Sequence, residues 1–171
     1  MLSTIITESL KMKKKVNIFL SYARANKELA SKFLVKFKEQ ATPSKKYKYK
    51  FWADTDILVG ENWNKEILAA LDKCDIGLLL ISPAFLGSQY INENELPRFV
   101  GKKKKSLIAV MLQPVDFERH DLKGFQKTQI FRLDRSRFRA PKAFGDCVGN
   151  QRDQFAQELF TQVEKKLDKI L

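Results

Sequence analysis

The order of apolar and polar positions divides the chain into alternating strand-like and helix-like stretches. Residues 16–22 (VNIFLSY) form a β-rich apolar run that reads as a first strand. Over residues 27–40, Leu29, Phe33, Leu34 and Phe37 recur at helical spacing and predict an amphipathic helix, with Asn26 placed to cap its start. Residues 41–46, with Pro43 and Ser44, read as a connector. Residues 47–52 alternate aromatic side chains with lysine, the pattern of a strand with one exposed face near a sheet edge. A loop, ADTDILVGEN, then leads to a helix over residues 63–74, with Asn62 as its expected cap and Trp63, Ile67, Leu68 and Leu71 on one stripe. Residues 76–81 (IGLLLI) are an unbroken apolar block, which suits a strand buried on both faces in the middle of a parallel sheet. Ser82-Pro83 ends it, because proline has no N–H to give to a ladder. Residues 107–112 form another continuous apolar strand and residues 129–133 a weaker fifth one, separated by a loop or short helix. Residues 135–150, rich in arginine and glycine, carry the least pattern, and residues 151–171 close the chain as a helix with Phe155, Leu159, Val163, Leu167 and Ile170 on one face. Strands alternating with helices predict an α/β fold with a parallel, doubly wound, flavodoxin-like sheet.

In such sheets ligands bind outside the carboxyl ends of the strands, which directs attention to the segment after residue 81. There a loop with Gly87 and Ser88 precedes a polar helical segment carrying Glu93 and Glu95. Ile91, Glu95 and Phe99 are spaced four apart and share one helical face, so Glu95 interrupts an apolar stripe while Glu93 points elsewhere. A carboxylate among apolar neighbours is partly desolvated, which tends to raise its pKa and points to a functional site; the alternative is a partly exposed surface glutamate. Pro97 fits only a first helical turn, and deeper in a helix it frees the carbonyl of Glu93 and kinks the chain. Either arrangement places irregular backbone beside Glu95.

Length and composition narrow the class. At 171 residues the chain fits one domain with a real core. Met12 followed by Lys13 to Lys15 resembles a natural start, so residues 1–13 are expected to be an N-terminal extension and 14–171 the domain. No apolar run approaches the roughly 20 residues that span a bilayer, and the first residues lack the order of a secretory signal. With only Cys74 and Cys147, the simplest expectation is a reduced, cytoplasmic protein. His120 is the only histidine and has no ligand cluster around it, so no metal site is expected. The net charge of +12 gathers in Lys13 to Lys15, in Lys45, Lys46, Lys48 and Lys50, and in Lys102 to Lys105. These runs sit between elements, where solvated charge is the usual explanation; an acidic partner domain or the phosphates of a small ligand are the alternatives. No nucleic-acid motif accompanies them, and nucleic acid is not expected as a direct ligand.

Three stretches then agree with one another. FLSYARAN after the first strand, FWADTDILVGENWNKEI after the second, and DIGLLLISPAFLGSQYINENELP around the third occur in that order and at fitting distances. Together they resemble the TIR (Toll/interleukin-1 receptor) domain in its bacterial form, over roughly residues 14–170. The resemblance implies a five-stranded parallel sheet with helices on both faces, and it makes residues 54–62 the counterpart of the BB loop that mediates assembly. Many TIR domains cleave NAD+ at the nicotinamide–ribose bond with a glutamate that follows an SxW- or SxY-type motif. Here Ser88-Gln89-Tyr90 precedes Glu95, and Glu95-Leu96-Pro97 matches the bacterial ending.

The resemblance therefore implies Glu95 as the catalytic carboxylate, with Ser88 and Tyr90 in the motif beside it. Tyr22 and Arg24 match the loop lining the NAD+ pocket, and Asp56 and Trp63 flank the BB-loop glycine, Gly60, near the nicotinamide side. The bland readings are a core anchor for Trp63 and a solvated loop charge for Arg24. Tyr90 lies five residues before the glutamate where the family often has an aromatic four before it, which leaves its placement and the form of the product open. The implied activity is an NAD+ glycohydrolase giving nicotinamide and ADP-ribose or a cyclic variant, in an assembly-activated effector of bacterial anti-phage defence. NAD+ would be the substrate and no cofactor would be needed; the expected partners are other TIR domains and a sensor domain or partner chain. The alternatives are a non-catalytic TIR–TIR interaction module and, less well matched by the motifs, a nucleoside deoxyribosyltransferase.

Overall fold

A computed structural model of the protein describes residues 12–53, 63–100 and 104–171. Five parallel strands form one sheet: β1 (Lys14–Ser21), β2 (Tyr47–Ala53), β3 (Ile76–Ile81), β4 (Ser106–Met111) and β5 (Ile130–Phe131), in the order β2-β1-β3-β4-β5. The chain moves outward from β1 to β2 and then returns to the other side of β1 with β3, so the order reverses between β1 and β3. β3 is the middle strand and all six of its residues are buried, as its unbroken apolar run predicts. β2 lies at an edge, and its lysines Lys48 and Lys50 point to solvent between packed aromatics.

Alternation along the strands feeds two cores. Val16, Ile18 and Leu20 of β1, with Ile76, Leu78 and Leu80 of β3, pack beneath α1 (Lys27–Ala41) and α5 (Gln151–Ile170) through Phe33, Phe37, Phe155, Leu159, Val163 and Leu167. Phe19, Leu79 and Ile81 face the other layer, made by α2 (Trp63–Lys73), the short α3 (Pro83–Leu86) and α4 (Leu96–Phe99). Helices thus cover both faces, and the two buried cysteines belong to opposite cores, Cys147 to the first and Cys74 to the second. Burial pushes the Cys74 thiol up to about 11 and raises that of Cys147 as well.

Three expectations change. Asn26 makes no capping bond to α1; its side chain is drawn instead to Ser82 and Gln113. The fifth strand shrinks to two residues, because Gln129 is taken into the turn Lys127–Gln129 by reciprocal bonds with Gln126, and Leu133 pairs antiparallel with Lys142. Residues 135–150 are irregular yet anchored. Phe144 is fully buried and meets Phe33 and Phe155 edge-on, with ring centroids 5.4 and 5.5 Å away. A single aromatic inserted from a loop leaves no periodicity in the sequence. The expected cap Asn62 and part of the lysine run, Lys102 and Lys103, lie outside the described residues.

α5 is also latched to the edge strand by polar contacts. Tyr47 donates to Asp168 Oδ1 at 2.7 Å, Tyr49 donates to Glu164, and Ser44 donates to the same Glu164 Oε2 at 2.6 Å. Desolvation and the adjacent Asp168 push the Tyr47 phenol from 10.0 up to about 12, and burial with Glu164 raises Tyr49 as well. A phenol held above its unfolded value favours the folded state fully below pH 10 and loses that contribution as pH rises toward 12. The melting temperature is therefore expected to fall across this window, and Tyr47→Phe to flatten the fall; an identical alkaline profile in the variant contradicts this assignment.

Gly77 sets the distance between β3 and the helix above it. A Cβ at this position would lie 2.4 Å from Cε1 of Phe99, whose ring is fully buried. Gly77→Ala is expected to destabilise the fold by about 1–3 kcal/mol in urea unfolding, as overpacked cores do; a neutral effect would show that the Phe99 ring moves freely.

Candidate active site

The carboxyl ends of β1 and β3 stand side by side where the strand order reverses, so the segments leaving them diverge and open a crevice. Three polar side chains tie the strand ends together. Asn26, after β1, accepts from Ser82 Oγ at 2.6 Å, and its amide nitrogen donates to Gln113, after β4, at 3.1 Å. Ser82 Oγ also accepts the Phe85 N–H at 3.0 Å and so caps α3, whose first residue is the strand-ending Pro83. These contacts satisfy buried polar groups and fix the rim of the crevice.

Above that rim residues 89–99 run as one helical stretch with a wide π turn at Ile91–Glu95. Ser88 caps its start by accepting the Ile91 N–H at 3.3 Å, and Asn92 donates to the carbonyls of Leu86 and Ser88 at 3.0 and 2.7 Å. Pro97 accounts for the wide turn. It offers no N–H to the preceding turn, the Leu96 N–H reaches back to the Ile91 carbonyl, and Pro97 falls in the first turn of α4. Arg98 Nη1 covers the Asn94 carbonyl at 3.0 Å. Phe99 then seats the stretch on Gly77.

The π turn carries Glu95 inward. Glu95 is 5% exposed between buried Ile91 and Phe99, so it is not a surface glutamate, whereas Glu93 is exposed and accepts from Gln89. Its Oε2 accepts the Ser21 hydroxyl at 2.5 Å. A cleft of about 270 Å³ lies beside it, lined by Tyr22, Ala23 and Arg24 after β1 and by Ser88, Tyr90, Ile91 and Glu95 after β3. Five of the expected site residues (Tyr22, Arg24, Ser88, Tyr90 and Glu95) therefore meet at one place. Tyr22 is buried and Arg24 exposed, and Tyr90 donates to Asn64 Oδ1 at 2.8 Å, which ties the helical stretch to the first turn of α2. Trp63 is the first residue of α2, while Asp56 and the rest of residues 54–62 lie outside the described residues.

The arrangement is a buried carboxyl group beside a small cleft whose lining also includes two tyrosines and an arginine. It suits a neutral or cationic group placed against Glu95 and an anionic group near Arg24. Among the described residues no group of three or more histidine, cysteine, aspartate or glutamate side chains is placed to hold a metal ion, and His120 Nδ1 accepts the Asp116 N–H within its own loop. Among the same residues no helix is long and apolar enough to cross a membrane. Sequence reasoning passed over Ser21, although a polar residue closing a buried strand next to Tyr22 was a visible signal.

A search of curated proteins finds no match. The family model described as "TIR domain" matches residues 18–144, which runs from within β1 to the loop holding Phe144 and includes every cleft residue. With the five-stranded parallel sheet and its reversal between β1 and β3, this match places the chain in the TIR-domain family.

Proposed function

We propose that this TIR domain is an NAD+ glycohydrolase and that Glu95 is its catalytic carboxylate. The observation that carries the reading is the burial of Glu95 at the switch point of the sheet, beside a cleft that also gathers Tyr22, Arg24, Ser88 and Tyr90. A buried carboxyl group held open to a cleft is costly and is retained where charge develops on a substrate.

Cleavage of the bond between ribose C1′ and the pyridinium nitrogen sends the bonding pair to nitrogen, so nicotinamide leaves as a neutral ring and no general acid is required. Positive charge builds on the sugar. A carboxylate in a low-dielectric cleft stabilises that charge, as it does in glycoside hydrolysis, and accepts hydrogen bonds from the ribose hydroxyls. Water then adds to C1′ and loses a proton, giving ADP-ribose; capture by a nucleophile within the same molecule gives a cyclic product instead. In this reading Arg24 meets the pyrophosphate and Tyr22 and Tyr90 pack on the rings, which their shared lining of the cleft supports, while Ser88 caps the helical stretch. Asp56 and Trp63 complete the proposed set on the nicotinamide side.

TIR domains commonly self-associate, and in this reading assembly with a second TIR domain, under control of a sensor domain or partner chain, completes the pocket and switches the enzyme on. Such a device suits an effector of bacterial anti-phage defence, where uncontrolled loss of NAD+ would be lethal. Activity should then rise more than linearly with protein concentration and with crowding agent. Chromatography of NAD+ incubations should show nicotinamide released by the wild type, and Glu95→Ala should lower turnover by at least about 100-fold while its melting curve stays cooperative. An active Glu95→Ala protein removes the assignment of Glu95. A wild type inert under every assembly-promoting condition favours the non-catalytic interaction module.

A further inference from the structure

Ser21 is the residue that the cleft rests on without displaying. It ends β1, it is 1% exposed, and it is absent from the cleft lining, whereas Glu95 both lines the cleft and accepts the Ser21 hydrogen bond. The hydroxyl therefore reaches the carboxylate from the sheet side. Its position is not left to a loop: Ser21 stands opposite Leu79 in the parallel ladder of β1 and β3, and the preceding Leu20 pairs with both Ala53 and Leu78. The acceptor arrives from the π turn, a segment 74 residues later in the chain.

A glutamate side chain has three rotatable bonds, and an ordinary α-helical turn would present it on a different radius from the wide turn found here. The bond at 2.5 Å to Oε2 removes the last of these freedoms, rotation of the carboxylate about its own axis. A donor to the charged form also favours ionisation over protonation.

We propose that Ser21 is a positioning residue for Glu95: its hydroxyl locks the carboxylate plane from behind so that an oxygen is presented to the cleft in the ionised state. This rests on the reading of Glu95 as the carboxylate that meets the substrate. Supporting groups on regular elements are where such geometry is usually secured, and Ser21 is held in the β1–β3 ladder. No covalent role follows for Ser21, because the hydroxyl is enclosed and its proton is already directed at Glu95.

The test compares wild type with Ser21→Ala and Ser21→Thr in two readouts. In NAD+ turnover, Ser21→Ala should lower kcat by about 10- to 100-fold with a much smaller change in KM, and should move the acid limb of the pH profile to higher pH. Ser21→Thr keeps the hydroxyl and should restore the position of the acid limb. In carbon-13 NMR of the glutamate carboxyls, with Glu95 assigned by its absence from Glu95→Ala, the Glu95 titration midpoint should rise in Ser21→Ala and return in Ser21→Thr. A lower melting temperature with an unmoved midpoint overturns the proposal and leaves Ser21 a packing residue. An inert wild type overturns the NAD+ reading instead, and the carboxyl titration still decides whether Ser21 controls Glu95.

Discussion

The hydrogen bond from Ser21 to Glu95 is the contact on which the cleft's geometry depends. A carboxyl group enclosed in protein is strongly disfavoured unless its oxygens are hydrogen-bonded, and the Ser21 hydroxyl supplies such a bond to Oε2 of the buried Glu95. That requirement propagates outward. Ser21 has to end β1 in register with β3, the chain after β3 has to turn back over the sheet, and the helical stretch has to deliver Glu95 at the right height. Pro97 widens the turn to do so, and Gly77 lets Phe99 sit close enough to hold the stretch down. Each of these residues is ordinary by itself; their constraint is mutual.

The same dependence explains the division between a firm scaffold and an irregular site. The strands and long helices bury continuous apolar faces in two cores, one on each side of the sheet. The site is built where this regularity ends, from a strand terminus, a short capped helix and a π turn. π turns store local irregularity and concentrate at functional positions because an extra residue re-aims one side chain without moving the helix axis. Here the re-aimed side chain is Glu95, and the neighbouring Glu93 stays in solvent.

How much of this was legible in the sequence follows from the range over which each signal acts. β3 was readable from its unbroken apolar run and α5 from an apolar face that repeats along the chain, and the inward turn of Glu95 was readable because Ile91 and Phe99 frame it at a fixed spacing. The π turn was legible only as irregularity near Pro97, since the width of a turn depends on which carbonyl receives the Leu96 N–H. The roles of Asn26, Ser82 and Gln113 were hidden: their partners come from different strand ends, 56 and 87 residues apart, and Asn26 looked like a helix cap for purely local reasons. Phe144 was hidden for the opposite reason, since its core position comes from a loop with no period. Ser21 was in plain view within FLSY, and only the fold shows that its hydroxyl faces a carboxylate.

The proposed binding of NAD+ in the cleft beside Glu95 can be followed without turnover. NAD+ is added to isotope-labelled Glu95→Ala protein, which keeps the dinucleotide intact, while the amide and side-chain signals are recorded. Saturable shifts are expected at Tyr22, Arg24, Ser88 and Tyr90, with no comparable change along α5. Shifts confined to other surfaces, or none at millimolar NAD+, would contradict it.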